Sequence, residues 1–203
     1  MRTSWRSRTV AVAAAFGCVT ISAPQSHAYD FEFWPGVTCK YNAGGNTLKW
    51  SNVTSSYTYS NPAQLAISAW NSTSTQFNFT QVNTGANLRV ADGNFGNVSY
   101  DGIILDASGV NRETDSALAK CRDSGTGFWQ ETNTAWINRK YADSYPAAKR
   151  KSIFVHEIGH ALGLAHEDDL GCAIMNEGSY TRYDECGLHV PAADDIAGAN
   201  ALY

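Results

Sequence analysis

The stretch His156-Glu157-Ile158-Gly159-His160-Ala161-Leu162-Gly163-Leu164-Ala165-His166 decides how the rest of the chain is read. On a helix, His156 and His160 differ by about 40° in direction and one turn in height, so both imidazoles reach one metal ion from the same face. Glu157 is offset by about 100° from His156, the placement of a group that stands beside a metal and touches its water, a general base and not a ligand. A third ligand cannot come from the continuing helix without moving to another face, so the chain must turn. Gly163 allows the turn, because glycine enters the left-handed conformation that ends many helices at little steric cost. His166 then folds back. Three neutral imidazoles leave a fourth position open to water, which separates catalytic zinc from closed structural zinc. The pattern predicts one Zn2+ ion and hydrolytic chemistry. A reading as surface histidines has to place three of the five histidines, a glutamate and a glycine at these positions by accident.

Outward from this stretch, the spacing predicts a helix from about Pro146, tolerated in a first turn, to Leu162, and a last helix over about Ala192 to Leu202. Upstream, Leu48 to Trp50 and Tyr57 to Tyr59 read as short strand-like pieces. A helix begins around Pro62 with Leu65, Ala66, Ala69 and Trp70 on one face and ends near Asn71. Phe77, Phe79 and Val82 predict a strand, Leu88 and Val90 a second, Ile103-Ile104-Leu105 a third that is buried on both sides, and Ala135-Trp136-Ile137 a fourth. No repeat or linker divides residues 29–203, and 203 residues suit one domain with a sizeable core.

The first 28 residues differ from the rest. Arg2, Arg6 and Arg8 precede an apolar stretch through Val10, Ala13, Phe16 and Ile21, followed by Ser26-His27-Ala28. This is the layout of a secretory signal peptide cleaved after Ala28, which leaves a catalytic domain over 29–203 and a secreted, extracellular protein. A lipoprotein reading through Ala15-Phe16-Gly17-Cys18 is the weaker alternative, since apolar residues continue past Cys18. Loss of the three arginines takes the formal charge from −4 to −7. An acidic chain without basic clusters is a poor partner for nucleic acid or anionic membranes. Cleavage also removes Cys18 and leaves Cys39, Cys121, Cys172 and Cys186, an even count that in an exported chain favours two disulfides among three connectivities. Nearness in sequence favours Cys172 with Cys186, leaving Cys39 for Cys121.

The eleven quoted residues match the zinc signature of the metzincins, and Cys172-Ala173-Ile174-Met175-Asn176 resembles the segment that carries that family's Met-turn. The resemblance implies an α+β zincin fold: a twisted mixed β-sheet, an active-site helix, the Met-turn with Met175 as a support below the metal, and a C-terminal helix. The end of the chain, Asp194-Asp195-Ile196-Ala197-Gly198-Ala199-Asn200-Ala201-Leu202-Tyr203, is similar to the closing helix of the matrixins. By that resemblance one aspartate of the pair holds the ammonium of a freed Tyr29 and the other braces the Met-turn; the plain alternative is a solvated acidic first turn, which favours a helix N-terminus by itself.

Several features depart from the matrixins. Pro35-Gly36-Val37-Thr38-Cys39 lacks the cysteine-switch pattern. Beyond the zinc motif only His27 and His189 occur, so a second, structural zinc with three histidines cannot be built, and His189 reads as a loop residue. Asn176-Glu177-Gly178-Ser179-Tyr180 stands where matrixins commonly carry a Pro-x-Tyr wall to the specificity pocket, leaving Tyr180 or Tyr183 for that role. The snapalysins are similarly compact but use Asp as third ligand, where this chain has His166; Asp168 and Asp169 lie too late in the spacing and read as exposed carboxylates. Sequons begin at Asn52, Asn71, Asn78 and Asn97. Asp92-Gly93-Asn94-Phe95-Gly96-Asn97 does not match an ordered calcium loop, so calcium stays open.

The function expected is a secreted zinc metalloendopeptidase acting on protein or peptide substrates as a monomer, with Glu157 as general base. Rival readings are a secreted zinc-containing binding or inhibitory protein without turnover, and a processing peptidase dedicated to one partner protein.

Overall fold

The computed structural model describes residues 29, 31, 33–34, 37–112, 121, 126–169 and 171–203. The expected signal segment, 1–28, lies outside the described residues.

A five-stranded sheet forms the frame. Its strands are β3 (Thr47–Asn52), β4 (Asn78–Gln81), β5 (Leu88–Gly93), β6 (Gly102–Leu105) and β7 (Asn133–Asn138), in the order β4-β3-β5-β7-β6. The first four positions run parallel and β6 is antiparallel to β7. A short antiparallel pair, β1 (Phe33–Trp34) and β2 (Val37–Thr38), precedes it. In β3 the alternation buries Leu48 and Trp50 and exposes Thr47 and Lys49, so one face meets the core. Strand β7, flanked by β5 and β6 and covered by the motif helix, is buried along nearly its whole length.

Parallel neighbours need a crossover, and between β3 and β4 it is helix α1 (Tyr57–Asn71). Helix α1 packs on β3, β4 and β5. The helix that carries the zinc motif, Ala147–Leu162, packs on β6 and β7, and the two helices lie against each other. Two indoles fasten this layer: Trp70 Nε1 donates to Val155 O (3.1 Å) and Trp129 Nε1 to Ala161 O (2.9 Å). One turn of helix, α2 (Arg139–Ala142), leads from β7 toward the motif helix, here α3 (Ala147–Leu162). The last helix, α4 (Ala193–Leu202), ends at Tyr203, whose hydroxyl accepts from Tyr41 N and donates to Leu162 O, both at 2.9 Å. This is the expected α+β fold: a mixed sheet with helices on it, the motif helix against the sheet, and a closing C-terminal helix.

Three expectations are corrected. Tyr57 to Tyr59 is the first turn of α1, not a strand, so the helix starts five residues before Pro62. Its buried face is Tyr59, Pro62, Ala63, Ala66, Ile67 and Trp70, and Leu65 is exposed. Strand β6 is an edge strand; Ile104 is buried while Ile103 and Leu105 are half-buried, because only β7 flanks it. Disulfides join Cys39 to Cys121 and Cys172 to Cys186. No described helix is long and apolar enough to cross a membrane.

Candidate metal centre

Helix α3 is buried from Ser152 to Leu162 and presents His156, Glu157 and His160 inside the fold. It stops at Gly163, which caps it with φ +107°. A β-carbon there would run into the carbonyl oxygen of Cys39, so glycine is needed for space as well as for the dihedral. The turn returns His166 to the two helical histidines. His160 Nε2 lies 3.1 Å from His156 Nε2 and 3.2 Å from His166 Nε2.

The hydrogen bonds at the far side of the rings define what these nitrogens offer. His156 Nδ1 lies 2.8 Å from Ile174 O, and His160 Nδ1 lies 2.8 Å from Leu164 O. A carbonyl oxygen only accepts, so each Nδ1 carries the proton and each Nε2 is left with a bare lone pair. Bare lone pairs at that separation repel unless a cation lies among them. Tetrahedral zinc with bonds of about 2.0–2.1 Å sets its ligand nitrogens roughly 3.3–3.4 Å apart, close to the spacing found. The three histidines therefore fit zinc in number, chemistry and geometry, and among the described residues they form the one cluster of this kind. Burial first, then the Arg182 cation and the neighbouring imidazoles, holds His156 well below the usual histidine range, which keeps it neutral and able to ligate.

Below the histidines lies Met175. A β-carbon on Gly159 would collide with its sulfur, so Gly159 makes room for the methionine directly beneath α3. The turn that carries Met175 is held from behind by Asp195, whose carboxylate accepts from Ile174 N (3.2 Å), Met175 N (3.3 Å) and Ala192 N (2.6 Å). The same turn supplies Ile174 O to His156, so Asp195 acts on the ring through one peptide unit. Asp194, next to it, lines a small cavity with Tyr29, Leu164 and Met175, and its Oδ2 is buried with no hydrogen-bond partner among the described residues.

In front of the histidines a cavity of about 620 Å3 opens, bounded by His156, Glu157 and His166, by Val98 to Gly102, by Tyr141 and Tyr145, and by Glu177, Gly178, Ser179 and Arg182. Glu157 is buried at its inner side. Gly102 at the head of β6 lies against the Glu157 carboxylate and Ile153, with no room for a side chain. Arg182 is 1% exposed; burial lowers its pKa, while the Glu157 and Asp101 carboxylates work the other way. Asp101 accepts from Ser179 Oγ at 2.5 Å and is hydrogen-bonded to Tyr145, whose pKa rises to about 12 through burial and the nearby carboxylate.

Neither Tyr180 nor Tyr183 borders this cavity. Tyr180 is 64% exposed on a wide π-type turn, Tyr180–Glu185, and the aromatic residues that line the cavity are Tyr100, Tyr141 and Tyr145. His189 is exposed, as are Asp168 and Asp169; Asp168 accepts from Glu177 N. Sequence reasoning missed Gly102 and Arg182. Nothing in Tyr100-Asp101-Gly102 points to a neighbour fifty-five residues away. Arg182 did leave a trace, as the sole basic residue between Cys172 and Cys186.

Among proteins of known kind, the chain is 31% identical to serralysin G of Dickeya chrysanthemi over a match that covers 38% of this chain and 21% of that protein. It thus spans about a fifth of the length of that relative. A solved structure of myroilysin aligns over 60% of this chain and 50% of that one at 19% identity, with a TM-score of 0.36, a likeness too distant to bear an argument. The model of the family described as Matrixin matches residues 38–203, which takes in the sheet, the histidine helix, the methionine turn and the closing helix, and the chain belongs to that family.

Proposed function

We propose that the protein is a secreted zinc-dependent endopeptidase in which His156, His160 and His166 hold the metal and Glu157 is the general base. The observation that carries this reading is the convergence of three Nε2 atoms, with a buried carboxylate beside them, at the inner end of an open cavity. A zinc ion held there supplies a Lewis acid for a peptide carbonyl and makes water acidic enough to be deprotonated near neutral pH. The chain's own residues do the rest. Glu157 takes a proton from the attacking water and returns it to the leaving nitrogen. Gly102 lies against its carboxylate on one side and leaves no space for another side chain there. Matrixin membership supports peptide-bond hydrolysis, and two disulfides together with the signal-like first 28 residues support export.

Casein hydrolysis measured with and without a chelator, alongside zinc analysis, tests the reading. Glu157→Gln is expected to keep zinc and fold and to lose at least about a hundredfold in kcat. His166→Ala should lose bound zinc. Near-normal turnover by Glu157→Gln excludes its role, and zinc binding without any turnover by the wild type leaves a binding protein as the function.

A further inference from the structure

The two disulfides differ in what can reach them. Cys39 and Cys121 are buried, at 0% and 1% exposure, whereas Cys172 is exposed and Cys186 half-buried. A thiolate in solution attacks an accessible sulfur and not one sealed in the core, and exposed disulfides are the labile ones of a protein. Cys172–Cys186 also closes a loop that matters to the site. Between the two cysteines lie Met175 and the part of the cavity wall formed by Glu177, Gly178, Ser179 and Arg182.

The two halves of this loop are fastened differently. The metal side, 173–176, is buried and is held without the disulfide: Ile174 N and Met175 N donate to Asp195, and Met175 O accepts from Glu167 N (2.9 Å). The wall side, 177–186, is knitted to its own loop. Arg182 Nη1 donates to Asn176 O (2.7 Å) and Glu177 O (2.9 Å), Arg182 N to Gly178 O (3.0 Å) and Cys186 N to Thr181 O (3.0 Å). This half meets other segments through Glu177 N to Asp168, Ser179 Oγ to Asp101 and Lys149 Nζ to Asp184, contacts that are partly or wholly exposed. Exposed pairs of this kind hold a segment weakly. The cross-link at Cys186 removes much of the freedom that the segment would gain on opening.

We propose that Cys172–Cys186 is a redox switch on the cavity: a small-molecule thiol reduces it, the wall 177–186 is released, and peptide binding weakens while the metal centre and Cys39–Cys121 stay intact. A thiolate attacks Cys172 Sγ, the S–S bond breaks and Cys186 leaves as a thiolate; a second thiol then resolves the mixed disulfide. Two thiols give up two electrons and become a disulfide, and the protein ends with two cysteine thiols. The effect on turnover rests on the peptidase reading; the opening of the wall does not. For the test, the zinc-loaded protein is equilibrated in buffers of graded glutathione to glutathione disulfide ratio and then alkylated with iodoacetamide. Mass spectrometry locates the alkylated cysteines. Trypsin reports opening by a cut after Arg182, which is closed to the protease while that residue is buried, and calorimetry measures affinity for a peptide hydroxamate. Label is expected on Cys172 and Cys186 at ratios that leave Cys39–Cys121 intact, with the Arg182 cut appearing alongside it and zinc retained. Hydroxamate affinity and KM should both weaken roughly tenfold if the wall is closed in about a tenth of the reduced molecules. Excess glutathione disulfide, added before alkylation, should restore both. Cys172→Ser/Cys186→Ser is expected to show the weakened affinity at every ratio. Reduction of both disulfides together, loss of zinc in step with reduction, or reduction of Cys172–Cys186 with unchanged affinity overturns the proposal, as does a response of the double variant to glutathione. Should the double variant fail to fold, the wild-type titration decides. Opening of the wall and weaker hydroxamate binding without cleavage of any peptide upholds the switch and overturns the peptidase reading alone.

Discussion

Gly159 lies inside the zinc motif at a position where the helix itself would favour alanine by about 1 kcal/mol. The fold reverses that preference, because a β-carbon at 159 meets the Met175 sulfur. Gly159→Ala is therefore expected to destabilise by about 1–3 kcal/mol through overpacking and to weaken zinc binding by displacing the methionine packed against the histidine helix; thermal melting and zinc titration measure the two effects, and a gain in stability would contradict the packing. Asp195 carries a second consequence at this scale. Burial is the largest influence on it and raises its pKa from 3.8 to about 6, although three backbone N–H groups pull the other way. The folded state thus holds this proton more tightly than the unfolded chain. The associated stability is fully present below about pH 4 and is lost as pH rises to about 6, a change of roughly 3 kcal/mol. In metal-free protein, the melting temperature of the wild type should fall relative to Asp195→Asn across that window. A difference that does not change with pH would show that the three N–H groups outweigh burial.

Helix α3 was legible end to end because its signals are local: Pro146 before the first turn, apolar spacing within, Gly163 after the last. The start of α1 was not. Ser56 makes no side-chain cap, Tyr57 is 79% exposed, and Tyr-Thr-Tyr alternates like a strand; the helix forms there because Tyr59 is buried under the α1–α3 layer. The same contrast separates the site residues. The histidines, Glu157 and Met175 sit in patterns whose spacing is their function, whereas Gly102 and Arg182 matter only through pairings between distant segments that no local window contains. Gly163 tests the element boundary. Alanine there must adopt φ +107° against the Cys39 carbonyl, so Gly163→Ala should cost about 2 kcal/mol or more and lower zinc affinity by misplacing His166. Wild-type zinc affinity in that variant would mean that the turn is not what brings the third histidine home.

At the scale of the whole molecule, the two ends of residues 29–203 meet behind the metal centre. Tyr29 packs on Gly198 of α4 and shares a small cavity with Leu164, Met175 and Asp194, while Phe31 bridges to Leu164 in the turn after α3. The Asp194 oxygen that has no hydrogen-bond partner among the described residues lies in this region, and burial raises the Asp194 pKa, the cost of taking a carboxylate out of water. Cleavage after Ala28 would turn the Tyr29 nitrogen from an amide into an ammonium, a cation able to pair with Asp194, one residue from the aspartate that braces the Met175 turn. Protein beginning at Tyr29 is therefore expected to melt higher than protein carrying a few extra residues before it, by roughly 1–2 kcal/mol for a partly exposed pair, and to hold zinc more tightly. Asp194→Asn should abolish that difference while leaving the extended form unchanged. Equal melting temperatures and equal zinc affinities for the two forms would reduce Asp194 to an acidic first-turn residue of α4 and sever the link between processing and the metal site.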